Sequence, residues 1–296
     1  MTYSIIGRDP AAGEIGIAVQ SRWFNAGQDV AWIEPGVGAV CTQAMVEPAY
    51  GQRGLELLRS GSAPDEALAT LISEDPGRDV RQVAIADLGG RVAQHTGAAC
   101  VAAAGHTTGA DCCAQGNMLA SERCWEAMVD AFASTGGALA DRLLTALDAA
   151  EREGGDARGR QAARLFVSRT ESSGIPWHDR VFDLQVVDNP EPLSELRRLV
   201  NVKRAYDHLG RAFELARRDI AAAAGEADAA RELAPADDQI GFWRATILAG
   251  AGRVDEAVAA FAEAVQAHPG WPDYLRNCVA AGLVPPEAQA LADALV

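Results

Sequence analysis

The chain has 296 residues, 49% of them hydrophobic, and its 26 basic against 41 acidic side chains give a formal net charge of −15. So acidic a chain has no basic surface with which to displace counterions from a phosphate backbone, which excludes nucleic acid as its main partner. Its length and apolar content allow one large domain or two ordinary ones with a sizeable core.

The cysteines, Cys41, Cys100, Cys112, Cys113, Cys124 and Cys278, are irregularly spaced in a core-rich chain. Reduced thiols in a cytoplasmic protein are expected, not a disulfide scaffold. No charged-then-apolar leader precedes Thr2 and no apolar run reaches the length of a membrane span, so a soluble protein without a membrane partner is expected. Lys203 is the only lysine, which leaves any site built from the chain before it without one.

TYSIIGRD alternates from its second residue and reads as a strand, followed through the turn-forming RDPAAG by a second strand, GEIGIAVQSRW. VAWIE and GVGAVCTQAM supply two more, broken at Pro35-Gly36. GQRGLELLRSG and APDEALATLISEDPG have helical spacing, and Pro64-Asp65 marks a helix start. VRQVAIADLGGRVAQHTG reads as a hairpin turning at Gly89-Gly90, and a glycine-rich span runs on to Gln115-Gly116-Asn117. Two helices are expected over SERCWEAMVDAFAS and ALADRLLTALDAAEREG, then strands over RQAARLFVSRT and RVFDLQVVD. Strands and helices in this order point to sheets with helices packed on their faces.

Composition changes at DNPEPLSELRRL, which is read as a Pro-containing linker over 191–201 between a mixed domain, 1–190, and an all-helical, alanine-rich domain, 202–296. Pro235 and Pro269 close two helical units, and their spacing matches the tetratricopeptide period of about 34 residues. In the second unit Ala257, Phe261 and Ala264 occupy the small and aromatic positions that such a repeat needs; the first unit is degenerate. Repeats of this kind stand on about three copies, so the tail is expected to pack on the first domain or on another subunit.

Three clusters carry candidate chemistry. Thr2 becomes the first residue once an aminopeptidase removes Met1, and its α-amine, with an ordinary pKa of about 7.7–8.0, can then take the proton of its own hydroxyl. The plainer reading is a strand residue after the start codon. The second cluster is His95, Cys100, His106, Cys112, Cys113, Gln115 and Asn117. Zinc held by His95, Cys100, His106 and Cys112 fits no pattern of closely paired ligands, so no cofactor is expected; histidines satisfied by turn carbonyls and loop contacts to substrate both stay open. The third is DARGRQ, where an arginine fork from Arg158 and Arg160, with Asp156 and Gln161, suits a substrate carboxylate or forms a surface salt bridge. His178, His208 and His268 read as structural or exposed.

TYSIIGRDPAAGEIGIAVQSRWF, GVGAVCTQAMVEPAYGQRGLELL, HTGAAC, AGHTTG, QGNMLAS, GGDARGRQAARL and DLQVVDNPEPLSELRRL resemble, in order and over nearly all of the chain before Lys203, the bacterial domain of unknown function 1028 family. That family is grouped with the N-terminal-nucleophile (Ntn) hydrolase-like proteins. The resemblance implies an α+β fold, a four-layer αββα sandwich, followed here by the small tetratricopeptide-like domain. It implies amidohydrolase chemistry with Thr2 as nucleophile and Ser21-Arg22 at the end of the second strand. It places oxyanion donors at Thr42, Gln43 and Ala44, and favours substrate contacts for His95, His106, Gln115 and Asn117. Proteasome-like members carry an acid where this chain has Gln20, and a lysine where it has Trp32 and Glu34, so their mechanism does not transfer whole.

The expected function is therefore hydrolysis of a small amide, imide or ureido compound carrying a carboxylate. The alternative is a non-catalytic platform that forms a homo-oligomer while the tail binds a peptide or protein.

Overall fold

The computed structural model describes residues 2–293, in two compact units that divide between Arg197 and Arg198. In the first, the strands are β1 (Thr2–Asp9), β2 (Glu14–Ser21), β3 (Ala31–Glu34), β4 (Gly38–Ala44), β5 (Arg81–Asp87), β6 (Val92–Thr96), β7 (Gly105–Gly109), β8 (Cys112–Asn117), β9 (Ala162–Arg169) and β10 (Arg180–Val186). They form a six-stranded sheet in the order β10-β9-β2-β1-β8-β7 and a four-stranded sheet in the order β3-β4-β5-β6. Every pairing is antiparallel. The N-terminal strand is thus central, which ties down a chain end that would otherwise fray.

Strand periodicity sorts the side chains. Ile6 of β1, Ile15, Ile17 and Val19 of β2, and Cys113 of β8 meet Ala39 and Cys41 of β4 and Ala84 and Ala86 of β5 in one cluster, so the sheets pack face to face. The opposite faces carry helices. Of the helices α1 (Gly27–Val30), α2 (Ala49–Arg59), α3 (Pro64–Glu74), α4 (Cys124–Ser134), α5 (Leu139–Arg152) and α6 (Pro176–Asp179), α2 and α3 cover the smaller sheet and α4 and α5 the larger. Gly51 lets α2 lie against β3: a Cβ there would sit 2.3 Å from the Trp32 ring. Pro64 opens α3, where it forfeits no helical hydrogen bond.

Two segments differ from their sequence reading. The glycine-rich span around His106 is not loop but the β7–β8 hairpin, added to the edge of the larger sheet. Residues 191–201, read as a linker, contain the division between the two units but are helical, lying almost wholly in α7 (Pro192–Leu215), whose first turn accommodates Pro192.

The second unit is all-helical and continues with α8 (Ile220–Leu233), α9 (Asp238–Gly250), α10 (Val254–Ala267), α11 (Trp271–Ala280) and α12 (Gln289–Asp293). Helix α8 starts at Ile220 and α10 at Val254, α9 at Asp238 and α11 at Trp271, so both pairs keep close to the repeat period of about 34 residues. Asp219 and Asp237 cap α8 and α9 by accepting the backbone N–H groups of Ala222 and Ile240. Ala257, Phe261 and Ala264 are buried in its core, and Phe242 stacks on Trp271 with ring centroids 4.5 Å apart. Among the described residues no helix is long and apolar enough to cross a membrane.

Candidate active site

Toward one end of the first unit the apolar layer between the sheets gives way to polar side chains. The parity that sends Ile6 inward also sends Thr2 and Ser4 inward; Ser21 continues Val19, Gln43 continues Cys41, and Gln115 and Asn117 continue Cys113. From β5, Gln82 shares the face of Ala84 and Ala86. All of these polar residues are buried, Thr2 being 6% exposed.

They form one network. Thr2 Oγ1 donates to Ser21 Oγ at 3.0 Å. The Thr2 carbonyl accepts from Gln43 Nε2 at 3.1 Å and, at the limit of a hydrogen bond, from Asn117 Nδ2 at 3.5 Å. Ser4 Oγ donates to Gln43 Oε1 at 2.7 Å and accepts from Cys41 Sγ at 3.1 Å. Gln115 Nε2 donates to the Cys41 carbonyl at 3.1 Å. Gln82 Oε1 accepts from both Gln43 (2.7 Å) and Asn117 (3.0 Å), while its Nε2 faces Thr96 Oγ1, Gly105 O and Gly116 O. Met1, whose removal the sequence reading requires, lies outside the described residues.

Thr42 takes the other parity and turns away from this layer, donating to the Glu47 carbonyl at 3.4 Å. Ala44 adopts the left-handed conformation at φ 70° and turns the chain out of β4. The Met45 N–H that follows is taken by the Val80 carbonyl.

Ser21 leads into the third cluster. Asp156, fully enclosed, accepts the Arg22 and Arg158 backbone N–H groups, each at 2.9 Å, and pairs with the Arg158 guanidinium at 3.3 Å. Arg160 pairs with Glu151 at 2.9 Å and with Glu191, and Gln161 donates to Asp188. The arginine fork is thus occupied by the protein's own carboxylates. Arg22 differs, since its guanidinium donates to a carbonyl, that of Arg160, at 3.1 Å.

The second cluster disperses. His95 Nε2 lies 2.9 Å from the Arg78 carbonyl, and His106 Nδ1 lies 2.8 Å from Thr96 Oγ1. Cys100 donates to the Arg81 carbonyl. Cys112 pairs with Gly7, whose free face meets α4 and α5, so it points away from His106. Gln115 and Asn117 of this cluster bond into the Thr2 network directly, and His106 reaches it through Thr96 Oγ1, which also faces Gln82 Nε2. Among the described residues no three His, Cys, Asp or Glu side chains gather as metal ligands. Burial lowers the pKa of His106, helped by His95 beside it, so the ring is neutral at pH 7. Burial raises the Cys41 thiol to about 12 and Cys112 to about 11, which keeps both protonated and poor nucleophiles.

Ser4 and Gln82 are the network members that the sequence reading passed over. Parity was the available signal. Ser4 shares the inward face of β1 with Thr2 and Ile6, and Gln82 continues the inward Ala84 and Ala86, so each is a polar side chain carried on a strand face that turns toward the other sheet.

The first unit is a mixed α+β structure of antiparallel sheets and covering helices, with a polar site between the sheets at the start of the chain. The chain belongs to the family of unknown function DUF1028, which matches residues 2–196. It is similar to the crystal structure of protein SPO2555 from Silicibacter pomeroyi, a DUF1028 protein. The two are 32% identical, with a TM-score of 0.61, over 67% of this chain and 84% of that one. No curated protein matches.

Proposed function

We propose that the first unit is an Ntn-type amidohydrolase of the αββα class, acting on a small amide, imide or ureido compound that carries a carboxylate. The observation that carries the reading is the position of Thr2: its hydroxyl lies between the two sheets, 3.0 Å from Ser21 Oγ, on a central strand that begins with it. In the processed chain the α-amine takes the Oγ1 proton as Oγ1 attacks the amide carbon. The oxyanion forms beside the Gln43–Ala44 turn. Its collapse breaks the C–N bond as the ammonium returns the proton to the leaving amine, and water then hydrolyses the threonyl ester. Because Arg158 and Arg160 are held by Asp156, Glu151 and Glu191, the carboxylate anchor in this reading is Arg22, adjacent to Ser21.

The test is turnover of small carboxylate-bearing amides, imides and ureido acids by wild type and Thr2→Ala. Activity that falls to background in Thr2→Ala, and is retained in part by Thr2→Ser, supports the reading; equal turnover removes Thr2 from the mechanism.

The burial of Thr2 favours a second reading, in which the first unit is a non-catalytic oligomerisation platform. The helical unit, whose paired helix starts keep near the repeat period, is proposed in either case to be a degenerate tetratricopeptide-like pair that binds a peptide or protein.

A further inference from the structure

Two backbone carbonyls set the direction of the Gln82, Gln43 and Asn117 amides in the Thr2 network. The Gln82 amide lies 3.0 Å from Gly105 O and 2.8 Å from Gly116 O. Both of those atoms are acceptors and belong to the sheet, so the Gln82 atom facing them is its donor, Nε2. Its Oε1 then lies where Gln43 and Asn117 converge, at 2.7 Å and 3.0 Å. An acceptor at that point obliges both neighbours to present their NH₂ groups. Gln43 Oε1 is satisfied on its other side by Ser4 Oγ. Asn117 Oδ1 is not: it is fully buried and has no hydrogen-bond partner among the described residues.

A buried carbonyl without a donor costs about 1–3 kcal/mol. Turning the Asn117 amide over gives no relief, because Oδ1 would then face Gln82 Oε1. Asn117 stands opposite Thr2 in the β1–β8 register, and its Nδ2 is 3.5 Å from the Thr2 carbonyl. Gln115 Oε1 is also buried without a partner, but Gln115 stands opposite Ser4, whereas the unsatisfied Asn117 Oδ1 belongs to the residue opposite Thr2, which gains N–H donors when Met1 is removed.

We infer that Asn117 Oδ1 holds the α-amine of Thr2 in the processed chain, and that Gln82 is the positioning residue that keeps Oδ1 turned toward it. The inference rests on the reading of Thr2 as an N-terminal nucleophile. One N–H committed to Asn117 restricts rotation about the N–Cα bond, and so limits the directions in which the amine lone pair can meet the hydroxyl proton. It also places a neutral acceptor, not a charge, beside the base.

Full-length protein labelled with ¹³C-threonine tests this without a substrate. The Thr2 Cα resonance, identified by its loss in Thr2→Ala, follows ionisation of the α-amine with pH, and intact mass reports whether Met1 is gone. Asn117→Asp puts a carboxylate beside the ammonium and is expected to raise the titration midpoint by about one pH unit or more. Asn117→Leu removes an acceptor from the ammonium, so its midpoint falls. Gln82→Met frees the Asn117 amide to turn over and moves the midpoint in the same direction as Asn117→Leu. A Gln82 with a merely structural role would leave the midpoint at the wild-type value while lowering the unfolding temperature. Processed protein whose midpoint is unmoved by Asn117→Asp overturns the inference and leaves Thr2 as nucleophile; retention of Met1 overturns the reading beneath it.

Discussion

Asp156→Ala is expected to loosen the wall of the site beside Ser21. The carboxylate is fully enclosed and accepts two backbone N–H groups, those of Arg22 and Arg158, each at 2.9 Å. Hydrogen bonds to a charged group contribute about 1.5–3 kcal/mol each, whereas the Arg158 ion pair, open to water on one side, adds at most about 1 kcal/mol. Water reaching the relaxed loop restores part of this, and a net loss of about 3 kcal/mol follows. In a unit of this size that is a fall of about 6–12 °C in unfolding temperature. Asp156→Asn offers one acceptor oxygen to two backbone donors, so it should recover less than half of the loss. Calorimetry of the full chain measures the shift, and hydrogen exchange should show the Arg22 and Arg158 amides opening together. A loss below about 1 kcal/mol, or an Asn variant equal to wild type, would refute the assignment of Asp156 as the brace of this loop.

Three further outcomes follow from the same geometry. The Arg81 guanidinium, together with Tyr50 and the Gly77 N–H, lowers the Asp75 carboxyl to about 2. A depressed folded pKa stabilises above the ordinary value near 4 and is lost as pH falls toward 2, so wild type should exceed Asp75→Asn by about 1–2 kcal/mol at pH 7, and urea titrations should show the gap closing between pH 4 and 2. Gly51→Ala places a Cβ 2.3 Å from the Trp32 ring and must push α2 off β3; a loss of about 1–3 kcal/mol is expected in denaturant melts. Native protein treated with iodoacetamide at pH 8 should alkylate Cys100, which is half-buried, well before Cys41 and Cys113, whose thiols burial holds far above the ordinary range; peptide mapping reads the order.

Much of the fold was legible because local signals agreed with it. Period-two alternation marked β1 and β2, Gly90 turns the β5–β6 hairpin at φ 90°, and the spacing of Pro235 and Pro269 matches that of the α8 and α10 starts, Ile220 and Val254. The β7–β8 hairpin was not, since glycine, threonine and histidine at an exposed sheet edge have the composition of a loop. Nor was α7, because a proline that opens a helix resembles one that ends it.

In the site, Thr2 was marked by its own chemistry, and Ser21, Gln43, Gln115 and Asn117, which meet around it, only by the family resemblance. Nothing in the spacing reveals that Gln82, far along the chain from Thr2, meets Asn117 beside it, since that contact depends on how two sheets face each other. For the arginine cluster the sequence left a substrate anchor and a salt bridge both open: Asp156 is visible beside Arg158, but not the Glu151 and Glu191 that fold onto Arg160.

The central claim is that the Thr2 hydroxyl is a nucleophile, and covalent capture tests it most directly. Protein incubated with a threonine-directed β-lactone and digested for mass spectrometry should carry one adduct, on Thr2 of chains that lack Met1, and none in Thr2→Ala. An adduct on any other residue, or a wild-type Thr2 left unmodified behind a retained Met1, would contradict it.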